Sequence, residues 1–243
     1  MKLNDSLHVL PVPIIRDGQT TFLNLSLILD STHGPTLVDT GLPGQFAAIA
    51  GLLAEAGVAV EELKRIILTH QDIDHVGSLH ELARASGARV LAHAVEAPFI
   101  DGTQPPRFAR PEALAQNPQL RAAAERFQPT PVDERLEDGA TLGLAGGVRV
   151  IFTPGHTPGH ICLYHEASQS IIAGDALTAS SGQLHGPNPA ATPDMPTAGQ
   201  SVAKLAALGV QTIVCYHGGV VNSGAQAQLR QVAGELAGES AGA

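Results

Sequence analysis

Between residues 69 and 77 the chain reads Thr69-His70-Gln71-Asp72-Ile73-Asp74-His75-Val76-Gly77, directly after the apolar run Ile66-Ile67-Leu68. Two imidazoles and two carboxylates, the side chains that bind divalent transition metals, thus begin where a buried strand is predicted to end. If the backbone stays extended past Leu68, the two-residue side-chain period turns His70, Asp72 and Asp74 to one side and leaves His75 next to Asp74. One short loop then serves two metal ions. Four further ligand candidates lie downstream: His156 and His160 in Thr153-Pro154-Gly155-His156-Thr157-Pro158-Gly159-His160, Asp175 after Ala173-Gly174, and His217 in Cys215-Tyr216-His217-Gly218-Gly219. Each follows, or in the case of His217 ends, a run rich in Val, Ile or Phe.

The rest of the chain supplies a scaffold for those strand ends. Strands are predicted over 7–12, 20–29 and 36–38, with turns at Asp17-Gly18 and His33-Gly34-Pro35, then a helix over 46–56 stopped by Gly57. A helix over 78–85 and a strand over 89–92 follow. Residues 97–131 break the pattern, with seven prolines around an Ala-rich helix over 111–127. Its Phe99, Phe108 and Phe127 favour a lid over a solvated linker. Strands over 148–152, 161–164, 170–173 and 212–215, with helices over 201–208 and 226–237, complete the second half. At 243 residues and 44% hydrophobic content the chain has material for one large α/β domain spanning 1–243.

Charge and cysteine content exclude several classes. A net charge of -9 disfavours a polyanionic partner, because nucleic-acid surfaces work by replacing counterions with Lys and Arg. Cys162 and Cys215 are too few for a disulfide framework and read as small buried hydrophobes, which suits a reducing compartment. No apolar stretch has the length of a membrane span and the first residues lack a leader pattern, so the expected location is the cytoplasm, with a small-molecule substrate, no nucleic acid or membrane partner, and a monomer or homodimer.

Taken together, the five segments resemble, in order and over nearly the whole chain, the metallo-β-lactamase-fold hydrolase superfamily. The family's usual His-X-His-X-Asp-His appears here as His70-Gln71-Asp72-Ile73-Asp74-His75, with an aspartate in place of the second histidine. Gly155-His156, Gly174-Asp175, His217 and Val38-Asp39-Thr40-Gly41 match the remaining motifs. The resemblance implies a four-layer αββα sandwich of two mixed sheets packed face to face with helices outside. It implies that His70, Asp72 and His156 bind one ion and Asp74, His75 and His217 the other, with Asp175 as the bridge. It also tips Asp39 from a turn residue to a buried carboxylate bracing the metal loop. His160, four residues beyond His156, reads as a structural histidine bonded to nearby backbone.

The expected activity is hydrolysis: two divalent ions, zinc first with manganese or iron as alternatives, share a hydroxide that attacks a small carbonyl substrate such as an ester, lactone or thioester. Asp74 would also carry the proton to the leaving group. Replacing an imidazole by Asp72 adds a negative charge at the first ion, which lowers its Lewis acidity and suits harder metals. The alternatives are a mononuclear iron sulfur dioxygenase, opposed by the full second set of ligands; a tRNA-processing nuclease, opposed by the acidic charge; and a β-lactamase-like or non-catalytic metal-binding member of the fold. Quorum-quenching lactonases usually carry a tyrosine where this chain has Thr178. Glyoxalase-II-like thioesterases bind glutathione with a basic C-terminal group, for which only Arg230 remains after Lys204. The expected substrates are therefore uncharged, moderately apolar esters or lactones, with acyl-homoserine lactones weak to moderate and glutathione thioesters poor.

Overall fold

Prolines fix which strand starts the first sheet. Strand β1 (Leu7–Arg16) carries Pro11 and Pro13, which lack the N–H a central strand needs, and it lies at the sheet edge, paired with β2 (Gln19–Ile28). The computed structural model describes residues 1–16, 18–116 and 118–241, which group into two compact units, Met1–Leu136 and Glu137–Ala243.

In the first unit β1 and β2 form a long antiparallel ribbon, and β2 in turn pairs antiparallel with β3 (Thr36–Val38). Helix α1 (Phe46–Glu55) follows. Strand β4 (Arg65–Leu68) runs parallel to β3, and its Ile66, Ile67 and Leu68 are fully buried. Helices α2 (Ile73–Val76) and α3 (Leu79–Ser86) lead to β5 (Arg89–His93). Then come α4 (Ala97–Ile100), a 3-10 turn at Arg107–Ala109, α5 (Pro111–Gln116), α6 (Pro118–Ala124) and β6 (Glu134–Leu136). The sheet order is β1-β2-β3-β4-β5-β6, antiparallel at the start and parallel from β3 onward. Each fully buried Leu or Ile of this sheet contributes on the order of 1.5–3 kcal/mol through the apolar surface it removes from water.

The second unit holds β7 (Thr141–Leu142), β8 (Val148–Phe152), β9 (Ile161–His165), β10 (Ser170–Ile172), the hairpin β11 (Thr178–Ser180) and β12 (Gln183–His185), α7 (Met195–Ala206), β13 (Thr212–Cys215), β14 (Gly219–Val221) and α8 (Ala225–Ala241). Its sheet runs β14-β13-β10-β9-β8-β7, with β10 and β13 parallel and the other pairs antiparallel. Helices α7 and α8 cover a core that includes Ile171, Ile213, Val202, Leu205 and Leu229. Among the described residues no helix is long and apolar enough to cross a membrane.

The expected α/β class with two mixed sheets is what the structure has, and four local expectations change. The extended course through His70, Asp72 and Asp74 stops at Asp72, whose carbonyl accepts from the N–H groups of His75 and Val76 and so opens helix α2. The helix expected over 111–127 is two shorter ones, 111–116 and 118–124, and residue 117 lies outside the described residues. The helix expected over 201–208 starts six residues earlier, because Asp194 caps it by accepting from the Thr197 N–H at 3.0 Å and Pro196 fits its first turn. Strands β6, β7, β11, β12 and β14, of two or three residues each, are too short to leave a period in the sequence.

Candidate metal centre

In the first unit the candidate ligands sit at the carboxyl ends of two parallel neighbours, where α/β sheets place their ligands. The Asp39 N–H donates to the Ile67 carbonyl at 2.9 Å, so the residue ending β3 lies beside the end of β4. Asp39 is 1% exposed and adopts φ 63°, a left-handed conformation that an Asp tolerates better than most residues. Its carboxylate accepts from the Thr69 N–H at 2.8 Å, from the Thr69 hydroxyl at 2.9 Å through Oδ2, and from His75 Nδ1 at 2.9 Å. Thr69 Oγ1 also stands 3.0 Å from His70 Nδ1. A threonine hydroxyl has one proton; since that proton goes to Asp39, the oxygen accepts the N–H of His70. Both imidazoles are thereby fixed with the proton on Nδ1, and Nε2 is the atom each can give to a metal ion.

Helix α2 folds His75 back toward His70, bringing the ring centroids to 4.0 Å. Two further contacts lock it. The His75 carbonyl accepts both the N–H and the hydroxyl of Thr40 at 2.7 Å, and the Gly77 N–H donates to the Gly41 carbonyl at 2.8 Å. A side chain at Gly77 would collide with the backbone of Leu42 and Pro43, so the loop after β3 and the end of α2 approach this closely only with glycine there. His70 Nε2 lies 3.4 Å from Asp72 Oδ2. The Asp72 carboxylate is also gripped by Arg107, through Nε to Oδ1 at 2.5 Å and through Nη2 to Oδ2.

In the second unit the strand directions gather the remaining candidates. Strands β10 and β13 are parallel, with Ile172 opposite Val214, so Asp175 and His217 leave the same end of the sheet. The neighbouring β9 is antiparallel to β10, and β8 to β9, so the turn from Thr153 to His160 that joins them lies at that end as well. Asp175 Oδ2 is 3.4 Å from His156 Nε2 and 3.5 Å from His217 Nε2. His156 Nδ1 stands 3.3 Å from the hydroxyl of buried Thr192. Gly155 has φ 132°, and any side chain there would run into Ala198 at the start of α7, which seats the turn on that helix.

His160 is fully buried and its ring is used up structurally: Nε2 accepts the Asp175 N–H at 3.0 Å, and Nδ1 lies 2.8 Å from the Thr153 hydroxyl. It therefore holds the backbone of Asp175 in place, as its reading as a structural histidine anticipates. The Thr153 hydroxyl also approaches Cys162 Sγ at 3.4 Å. Burial pushes the Cys162 thiol up to about 12 and the Cys215 thiol higher still.

These donors fit a divalent ion. Nitrogen and oxygen ligands held about 2.0–2.1 Å from a tetrahedral ion lie roughly 3.3–3.5 Å from one another. The separations His70 to Asp72, His156 to Asp175 and His217 to Asp175 are 3.4, 3.4 and 3.5 Å. The Nδ1 atoms of His70, His75 and His156 each face an oxygen of the protein, the usual arrangement for a ligating imidazole.

Sequence reasoning missed Arg107, Thr69 and Thr192 as parts of these networks. Thr69 adjoins the motif and was within reach of it; Arg107 and Thr192 are brought to it by folds of the chain that leave no local pattern. Two aromatics of the 97–131 segment pack on each other. Phe108 is buried and meets Phe127 edge to face at 5.2 Å.

A family model described as the metallo-beta-lactamase superfamily matches residues 20–217. The probable metallo-hydrolase YflN of Bacillus subtilis is 29% identical over 202 residues, 76% of this chain and 76% of that protein. A hydroxyacylglutathione hydrolase of Fuscovulum blasticum is 30% identical over 213 residues, which cover 86% of this chain but only 66% of the relative. The chain thus spans less than two thirds of that enzyme. The solved structure of metallo-beta-lactamase family protein TTHA1429 from Thermus thermophilus aligns with a TM-score of 0.75 at 32% identity, over 99% of this chain and 81% of that one.

Proposed function

The chain belongs to the metallo-beta-lactamase superfamily and has its fold, and on that premise we propose that it is a hydrolase in which two divalent ions, zinc in the first place, are held by the residues singled out above. By the family pattern the sets would be His70, Asp72 and His156 for one ion and Asp74, His75 and His217 for the other, with Asp175 shared by both. The observation that carries the reading is the tautomer lock in the first unit: one carboxylate and one hydroxyl, Asp39 and Thr69, fix both imidazoles of the motif with Nε2 as the ligating atom.

Such ions supply an activated water and polarise the carbonyl under attack. The chain's own residues do the rest. Asp39 and Thr69 keep His70 and His75 from rotating, and His160 anchors the peptide of Asp175. The Asp74 carboxylate takes the proton of the attacking water and returns it to the departing alcohol or thiol.

For the substrate we propose carboxylic thioesters and esters. The hydroxyacylglutathione hydrolase among the relatives brings thioesters to the front, but recognition of the glutathione part does not follow. Lys204 is engaged with Asp138 and with the Phe152 carbonyl at 2.9 Å each. The acyl part then carries recognition, and glutathione thioesters should be no better than thioesters of simple thiols.

Elemental analysis of protein purified without chelator, followed by turnover on simple thioesters, glutathione thioesters, lactones, phosphodiesters and β-lactams, tests the whole reading. About two zinc-type ions per chain and activity confined to carbonyl esters and thioesters is the expected result. Protein that takes up no transition metal, or that turns over only phosphodiesters, overturns it.

A further inference from the structure

Arg107 lies outside every motif of the sequence, yet it makes a two-point contact with a carboxylate of the metal loop. Its Nε donates to Asp72 Oδ1 at 2.5 Å and its Nη2 to Asp72 Oδ2. The two side chains are largely shielded, 23% and 16% exposed. The backbone places the arginine there independently of its side chain. Its N–H donates to Gln71 Oε1 at 2.8 Å, and Gln71 in turn donates from its backbone N–H and from Nε2 to the fully buried Glu96 at 2.9 and 3.0 Å. Parallel N–H bonds from a guanidinium to both oxygens of a carboxylate form the strongest and most directional ion-pair geometry available to side chains.

A carboxylate oxygen has two lone pairs, so Asp72 Oδ2 can accept from Arg107 and ligate an ion at the same time. Its 3.4 Å separation from His70 Nε2 is the spacing of two ligands on one ion. What the guanidinium changes is charge. Asp72 alone would add a negative charge to the ligand set and lower the Lewis acidity of the ion beside it; Arg107 cancels that charge within hydrogen-bonding distance.

We propose that Arg107 is a positioning residue that sets the charge of the first metal site. It orients Asp72 as an oxygen ligand and neutralises it, so the site accepts a carboxylate without losing Lewis acidity, at the cost of weaker ion binding. This rests on the two-ion reading above. The segment 97–131 thereby acts on the centre through one cation.

The test is a zinc titration of the intact protein against a chelator of known strength, with overall affinity taken as the product of the stepwise constants. Arg107→Gln removes the cation but keeps the backbone bond to Gln71, and should bind zinc about tenfold or more tighter; Arg107→Lys keeps the charge and should stay within about threefold of wild type. Asp72→His supplies a neutral ligand but leaves the guanidinium uncompensated beside the ion, so affinity should fall about tenfold or more, and adding Arg107→Gln should restore most of it. An Arg107→Gln affinity within about twofold of wild type overturns the proposal, as does an Asp72→His, Arg107→Gln double variant no better than Asp72→His. Where Asp72→His fails to fold, the two Arg107 variants decide alone. Wild type that binds zinc while the variants do not move overturns this inference only; wild type that binds none overturns the two-ion reading with it.

Discussion

His75 Nδ1 lies 2.9 Å from Asp39 Oδ2, and both groups are sealed from solvent. The contact joins residues 36 positions apart in sequence and ties the His75 ring to a carboxylate at the end of the neighbouring strand. Asp39→Asn keeps the size and the tolerance for a left-handed backbone but loses the charge that holds the Nδ1 proton. Zinc affinity should fall roughly 10–100-fold. Competition titration checks this, and an unchanged affinity would show that the contact does not tune the ligand.

Asp175 has a different place, with Oδ2 between the Nε2 atoms of His156 and His217. Asp175→Asn should abolish turnover and lower metal content while thermal unfolding stays within a few degrees of wild type, because the backbone N–H that His160 holds is unchanged. Near-normal turnover with full metal content would remove Asp175 from the centre.

His160 gives the opposite pattern. In His160→Leu the Asp175 N–H loses its acceptor and the Thr153 hydroxyl a partner in a buried setting. Stability should drop by about 1–3 kcal/mol while metal stoichiometry is retained. Denaturant unfolding alongside elemental analysis separates the two effects; loss of an ion without loss of stability would make His160 a ligand after all.

His165 predicts an acid limb in the stability curve. Burial pushes its pKa below the ordinary histidine value, and the bond to the Ala145 carbonyl offsets this only in part. The unfolded chain therefore binds this proton at a higher pH than the folded one, so stability present above about pH 6.5 is lost as pH falls from there through the folded pKa. Unfolding midpoints taken from pH 7.5 down to 5 should fall for wild type and fall less steeply for His165→Gln; parallel slopes would mean that His165 carries none of the dependence.

What the sequence disclosed and what it hid differ by range. His70, His75, His156, Asp175 and His217 announce themselves because each follows or ends an apolar strand whose period is readable. The parallel pairing that brings Asp39 to Thr69, and Asp175 to His217, follows from strand order, which the local pattern does not carry. Arg107 was out of reach: it sits in a proline-rich segment with no period, and its approach to Asp72 depends on Gln71 and Glu96 pinning the 3-10 turn. Within that segment Phe108 and Phe127 meet edge to face, a pairing that no period in the sequence announces.

The left-handed backbone of Asp39 has a consequence for anyone improving this protein. A residue other than glycine at φ 63° gives up on the order of 1 kcal/mol of backbone energy, less for aspartate than for most. Asp39→Gly would relax that conformation and at the same time delete the carboxylate on which Thr69 and His75 converge. The relief is smaller than the loss, since the buried Thr69 N–H and the His75 ring would be left without their acceptor at about 1–3 kcal/mol apiece, so a library ranked by melting temperature alone would retain the strained aspartate.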